Sequence, residues 1–502
     1  MQRQLNHDQR LRAQPFAVQQ VGHRMQGFGR AVGKLRHHGC GNFAGGQSIA
    51  SWINQQGSRI RLCEVLDQTY RLRMLVGARQ QSRIGFDQLQ GDRLARGCHT
   101  SFIGFLCGGG PVGMVAALSL ARQGIPVTVL EAFEEPPKDP RAATIHASTL
   151  EMLHTLELAD GIKERGLLAP AFQFRDRKSQ EIIAVFDMKH IADETDFPYA
   201  IQYEQWKLTR DALAAVKTHD IADVRLGSNV TAFSQDYEGV TVVYEDPAGE
   251  MRKVEGRYLL ACDGGRSTIR IGLGVFMSGF TWDERFLVLT SEHDFAASDG
   301  YLNRNYVMDP AEWFAVFKVP GDEDQGIWRT LFPTEGHEKD EDLLSDAGVT
   351  QRIHGLRDDM DHNDILHRNL YTVNQRVADR FRIERIFLAG DAAHLNNPLG
   401  GLGLNTGIHN CMNITRKIGD VWYRRAEEDV FERYHRQRHQ LATEFLQSVT
   451  IENKKRIEEK DPDVIRANQM QLRENSEDPV KAKAWLMRSS LLDSVRKEDM
   501  IE

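Results

Sequence analysis

The run Cys107-Gly108-Gly109-Gly110-Pro111-Val112-Gly113 spaces its glycines as GxGxxG, and an acid, Glu131, follows 23 residues after Gly108. That spacing suits a dinucleotide. Gly108 would make a tight turn, Gly110 would let the backbone approach a pyrophosphate, and Gly113 would let a helix pack on a strand. Pro111 stands in the same turn and counts with the cofactor-binding residues, while Glu131 would accept from ribose hydroxyls. Two further acids sit beside glycine at the end of apolar runs: Asp263 in Ala261-Cys262-Asp263-Gly264, and Asp391 in Leu388-Ala389-Gly390-Asp391. Asp-Gly is also an ordinary turn, so that pair alone says little. His146 is the candidate base, because histidine titrates nearest neutral pH; a packed histidine is the plainer reading. The six cysteines form no CxxC pair, so neither a metal site nor a disulfide framework is indicated, and a reducing, cytoplasmic setting fits.

These residues need a scaffold. Ser101 to Leu106 reads as a short apolar strand, Met114 to Gln123 as a helix closed by Gly124, and Pro126 to Leu130 as a second strand ending on Glu131. Tyr258 to Ala261 and Arg385 to Ala389 read as further strands, and a helix runs from the glycines at 400–403 through Lys417. The motif on this strand-turn-helix-strand unit does not choose between NAD and FAD. The first hundred residues are a different kind of sequence, with 15 Lys+Arg, 14 of them Arg, against 5 Asp+Glu, and 15 Gln. They show no sustained periodicity and are expected to be a disordered or non-native extension, for example from a misassigned start. The whole chain carries a net charge of −8, which argues against a nucleic-acid partner. Its apolar runs are too short to span a membrane.

Taken in order, the three segments resemble the fingerprints of the FAD-dependent aromatic-ring monooxygenases, the hydroxylases typified by para-hydroxybenzoate hydroxylase and the 3-(3-hydroxyphenyl)propionate type. The resemblance runs from about residue 101 to the C-terminal helices. It implies that Asp391, after Gly390, bonds the ribityl chain of FAD, and that Pro398, Gly400, Gly401, Gly403, Leu404 and Asn405 lie by the flavin ring. A helix start aimed at the flavin would stabilise the negative charge of its reduced form. Asp263 and Arg270 would brace the pyrophosphate region and the nicotinamide approach, Arg141 would lie near the phosphates, and Gln205 would contact the ribityl chain. The sequence departs from the phenol hydroxylases at Ala143, where they place a catalytic aspartate, and at Asn397, where the family's usual proline is missing.

The implied fold class is α/β: a Rossmann-like FAD-binding domain (101–275 and 370–425, with part of 170–250 in the substrate-side sheet) interleaved with a β-sheet substrate domain (276–369). Charged helices over 426–502 would pack on the FAD domain or on a homodimer partner. The aromatic stretch Phe280 to Phe332 suggests strands covering a flat substrate, and Arg285 or Arg304 could pair with a substrate carboxylate, the sequence favouring neither. No second GxGxxG occurs, so NAD(P)H would bind without its own Rossmann domain. The implied activity is hydroxylation of an aromatic, phenolic substrate with NAD(P)H and O2. The alternatives are a non-catalytic FAD-binding redox module, or another flavin oxidoreductase of the same fold; the Trp-x-Trp-x-Ile-Pro stretch of flavin-dependent halogenases is absent.

Overall fold

A computed structural model describes residues 104–138 and 141–502. The expected N-terminal extension, the head of the first strand at Ser101, and Pro140 lie outside the described residues.

Gly104–Cys107, Val127–Leu130 and Tyr258–Ala261 are each buried along their whole length. Strands covered on both faces lose the polar alternation and read as continuous apolar runs, as these do. They form the centre of a six-stranded sheet ordered Arg382–Ile383, Ile386–Leu388, Tyr258–Ala261, Gly104–Cys107, Val127–Leu130, Ala222–Arg225. All neighbours are parallel except the antiparallel edge strand Arg382–Ile383. Parallel neighbours require a crossover, and the helix Pro111–Arg122 supplies the first. Its Ala116, Ala117 and Ser119 are small and buried, which lets the long helix Leu402–Trp422 approach until the Ser119 and Thr415 hydroxyls bond at 2.8 Å.

A second, eight-stranded sheet has the order His394–Leu395, Ile365–Ala378, Met277–Ser291, Ile327–Pro333, Phe314–Val319, Arg304–Met308, Ala171–Asp176, Ile182–Asp187. Only the pair Arg304–Met308 with Ala171–Asp176 is parallel. The strand Ile365–Ala378 crosses residue 370, where the sequence reading began the second FAD-domain segment. It stays in the large sheet because its whole length pairs with Met277–Ser291. Asn229–Gln235, Val240–Glu245 and Met251–Gly256 form a separate antiparallel meander.

The C-terminal region is helical. Asp461 and Asp478 cap Pro462–Glu477 and Pro479–Ser489, each carboxylate accepting from two backbone amides with proline in the first turn. These helices are docked rather than merely solvated. Trp485 stacks on Phe186 of the large sheet with centroids 5.0 Å apart, and on the last helix, Leu492–Met500, buried Glu498 accepts from Arg438 at 2.6 Å and from Asn413 of the long helix.

Candidate active site

The three fingerprints meet at one edge. Gly104–Cys107, Tyr258–Ala261 and Ile386–Leu388 are adjacent and parallel, so their carboxyl ends emerge side by side. The ladder continues one step past the strands, with the Cys262 amide donating to the Cys107 carbonyl at 2.7 Å and the Ala389 amide to Ala261 at 2.9 Å. Gly108, Asp263 and Gly390-Asp391 therefore begin at neighbouring points. The crevice beyond the carboxyl ends of parallel strands is where open α/β sheets bind ligands.

Local geometry explains the glycines. Gly108 has φ +101°, and a Cβ there would stand 2.4 Å from the Cys262 carbonyl oxygen; at Gly113 it would stand 1.9 Å from the Gly108 carbonyl oxygen. At Gly110 it would meet nothing within 4 Å, so this glycine leaves room on the crevice side rather than inside the protein. Neither the helix Pro111–Arg122 nor Leu402–Trp422 has a side-chain cap, so the amides of both first turns are left for another acceptor. Asp263 Oδ1 is buried without a partner among the described residues, while Oδ2 accepts from the Ile269 amide at 3.2 Å. Burial holds that carboxyl above the usual range. Open space beside Gly110, two uncapped helix starts and an orphaned carboxylate oxygen fit a dinucleotide with phosphates and hydroxyls. Glu131 is buried and takes the Gly109 amide on one oxygen and the Phe133 amide, at 2.9 Å, on the other, each oxygen keeping a lone pair for a ribose hydroxyl.

The strand Ala200–Gln202 pairs with Thr144–Ile145, and the Gln205 amide donates to Ala142 at 2.8 Å, which brings the Arg141 and Gln205 positions together. Arg141 and Asp391 are exposed, and the Gln205 side chain makes no hydrogen bond among the described residues. Several of the expected cofactor-binding residues also make bonds within the protein. Arg270 is buried and donates to the Gly265 carbonyl at 2.9 Å and the Ala392 carbonyl at 3.3 Å, tying the Asp263 segment to the Asp391 segment. Asn405, fully buried, uses its whole side chain within the protein, accepting from the His146 amide at 2.9 Å and donating to Thr144 at 2.9 Å and Gly401 at 2.6 Å. It fastens the Thr144–Ile145 strand to the start of the long helix. Leu404 is likewise buried in the core, Pro398 is exposed, and Gly401 has φ +69° with Thr144 packed against its Cα.

His146, the candidate base, is buried against the glycine turn. Its Nε2 bonds the Gly400 carbonyl at 2.7 Å, which makes that nitrogen the proton carrier, and Nδ1 is buried without a partner among the described residues. Burial first, and the Arg304 charge second, push its pKa down to about 3, with the Gly400 bond opposing. A phenol with a pKa near that of tyrosine, about 10, would give such a group its proton only steeply uphill. The bond to Gly400 ties His146 to the glycine turn. His394 is similar: the Asn410 amide donates to its Nε2 at 2.6 Å, and burial lowers it to about 4.

Beside Gly400 lies a cleft walled by Phe172, Phe174, Tyr306, Leu399 and Trp485, with Arg304 and Arg456 at its surface. Phe174 stacks on Tyr306 with centroids 5.2 Å apart. Of these residues the sequence singles out Tyr306 and Arg304, while Phe172, Phe174, Arg456 and Trp485 emerge only in the structure. The Phe-x-Phe alternation of Ala171–Asp176 was the available signal, and it is shared with any half-buried strand.

A sheet edge that gathers three nucleotide fingerprints, continuous through one glycine turn with an aromatic-walled cleft, has the geometry of a flavoprotein, with the cleft as its candidate substrate site. Residues 105–449 match the family model described as FAD binding domain. The para-nitrophenol 4-monooxygenase of Pseudomonas sp. strain WBC-3 is 32% identical over 362 residues, which are 71% of this chain and 87% of that protein. The 6-hydroxy-3-succinoylpyridine 3-monooxygenase of Pseudomonas putida S16 is 29% identical, over 71% of this chain and 89% of its own. Among solved structures, the p-nitrophenol 4-monooxygenase of Pseudomonas putida DLL-E4 superposes with a TM-score of 0.73 at 28% identity, covering 77% of this chain and 98% of that one. The chain belongs to the FAD-binding domain family, and the relatives named here are monooxygenases.

Proposed function

We propose that this protein is an FAD-dependent monooxygenase that hydroxylates an aromatic, phenolic substrate with NAD(P)H and O2. The observation that carries the reading is the shared position of Gly400, which lines the aromatic cleft and also belongs to the turn that opens the long helix. A ring in the cleft is thereby next to the flavin-side glycines. Bound FAD supplies acceptance of a hydride and activation of O2. The chain supplies the rest. The uncapped first turn after Gly401 stabilises negative charge on whatever faces it, the aromatic walls orient a flat ring and exclude water, and the His146 and Asn405 bonds hold the turn in place. The reading extends to a cytoplasmic location, supported by the free thiols Cys107, Cys262 and Cys411, and to assembly as a homodimer through the charged C-terminal helices. No helix among the described residues is long and apolar enough to cross a membrane.

Reduced flavin reacts with oxygen with or without substrate, so the correct aromatic is expected to act as effector. NAD(P)H oxidation by the FAD-loaded protein should be slow alone and rise many-fold with the right phenol, with a hydroxylated product formed. If a broad phenol panel gave no stimulation and all the oxidised nucleotide reappeared as hydrogen peroxide, the redox-module reading would replace this one. A companion expectation concerns retention: Asp391→Ala should weaken FAD binding by about 1.5–3 kcal/mol, the range for a hydrogen bond to a charged group. Equal FAD affinity in the variant and the parent, measured by ultrafiltration, would remove Asp391 from the site.

A further inference from the structure

On the cleft face of the large sheet Arg304 shares a cross-strand row with Phe317 and Arg329, and Arg329 forms an ion pair with Glu204 at 3.7 Å; two arginines of the opposite face are engaged as well. Arg285 donates to the Glu338 carbonyl and forms an ion pair with Asp340. Arg175 donates to the Asp299 carbonyl at 2.7 Å and lies over the Tyr301 ring. Arg304 differs. It is 3% exposed, its Nε is buried without a partner, and its guanidinium makes no hydrogen bond or ion pair among the described residues. It lies over the face of Phe172, 5.1 Å from the ring centroid, at the surface of the aromatic cleft.

A buried guanidinium without a counter-charge is costly unless something supplies one. His146, which feels the Arg304 charge, is kept neutral by burial and cannot do so. At the other end of the same cleft Arg456 lies over Trp485, 4.7 Å from the centroid, and it too has no hydrogen bond or ion pair among the described residues. The adjacent acid, Glu452, is held by Arg488 at 3.0 Å. Phe172, Phe186 and Trp485 stack in sequence between the two guanidiniums, with centroid spacings of 5.2 and 5.0 Å. Arg456 and Trp485 both lie beyond residue 449, where the family match ends.

We propose that Arg304 is the receptor for an anionic oxygen carried by the aromatic substrate, and that Arg456, on a helix outside the family-matched region, favours substrates whose far end is also anionic. The inference rests on the monooxygenase reading for its aromatic substrate and adds the substrate's charge. A carboxylate on the ring and the phenolate oxygen itself share the required chemistry, planar or single oxygen acceptors for a guanidinium fork.

The test uses the FAD-loaded full chain and reads binding from perturbation of the flavin absorbance, apart from turnover. 4-Hydroxybenzoate should bind roughly ten-fold or more tightly than its methyl ester. If the phenolate is the anion recognised, 4-nitrophenol should instead tighten as pH is raised through its own pKa, with 4-hydroxybenzoate and its ester alike. In Arg304→Met either preference should fall below about two-fold with FAD still bound, and Arg304→Lys should keep part of it. Arg456→Met should leave these small probes unchanged and weaken 4-carboxycinnamate relative to cinnamate. Absence of any charge preference in the parent protein, or its survival in Arg304→Met, would overturn the proposal. Arg304-dependent anion binding without stimulated NAD(P)H oxidation would uphold the anion site while removing the hydroxylase reading, and stimulation by neutral arenes alone would do the reverse.

Discussion

Taking the protein from about pH 7.5 to about pH 5 is expected to lower its unfolding free energy by several kcal/mol and to release flavin in the same transition. Three histidines drive this, and all three surround the long helix Leu402–Trp422. His146 bonds Gly400 just before the helix, His394 is bonded by Asn410 of the helix, and His409 of the helix meets the Thr149 hydroxyl at 3.0 Å. Burial is the leading cause that lowers each of them, to about 3 for His146, to about 4 for His394, and well below the ordinary value for His409. Each Nδ1 is buried without a partner among the described residues, so a second proton would find no acceptor there. In the unfolded chain these rings titrate near 6.5. Below that value the unfolded state binds protons the folded state refuses, so stability falls as pH falls, until the folded rings themselves titrate. At pH 5 the loss is about 2 kcal/mol for each histidine, against a total stability of about 5–15 kcal/mol for a typical domain. Asp263, raised by burial, works in the opposite sense only near the carboxylate range. Urea midpoints at the two pH values, with flavin fluorescence followed alongside, check the result; a midpoint that does not move would contradict the buried, neutral state. His394→Gln should flatten the slope, because glutamine can still accept from Asn410 and does not titrate.

How far this site could be read in advance depends on the distance over which each role is fixed. The GxGxxG turn is local, and the roles of Gly108 and Gly113 follow from contacts within a few residues and one neighbouring strand. The meeting of Asp263 with Asp391 follows from the parallel order of two buried apolar strands, which the apolar runs and the family resemblance together indicated. Asn405 was legible as a position beside the flavin turn and not as a staple, because its partners His146 and Thr144 lie some 260 residues earlier in the chain. The choice between Arg285 and Arg304 could not be made from sequence, since it turns on whether the 335–340 segment folds back to neutralise one of them. It neutralises Arg285. The charged C-terminal stretch concealed Arg456 and Trp485 for the same reason: charge runs are common on solvated faces, and only docking against Phe186 turns one face into a cleft wall.

Gly113→Ala and Gly110→Ala, two methyl additions three residues apart, are expected to fail in different ways. At Gly113 the new carbon would lie 1.9 Å from the Gly108 carbonyl oxygen and 3.4 Å from the Cys262 side chain. The obstructing atom is backbone, in a residue already held at φ +101° against the Cys262 carbonyl, so no rotamer change relieves the clash. The helix Pro111–Arg122 must move away from the sheet, which opens the core around Met114, Val115 and Leu118. The cost should reach or exceed the upper end of the ~1–3 kcal/mol typical of overpacking, and the protein should be purified colourless or not at all. Gly110 has an ordinary negative φ of −67° and nothing within 4 Å of a Cβ, so alanine there should leave the urea midpoint of the apoprotein within about 0.5 kcal/mol of the parent. The methyl group would project into the space the pyrophosphate needs, and FAD affinity should fall by at least ten-fold. Apoprotein stability and FAD titration measured on both variants separate the two roles. A yellow, fully stable Gly113→Ala protein would contradict the packing geometry, and a Gly110→Ala protein with parental FAD affinity would mean that the pyrophosphate does not pass beside this turn.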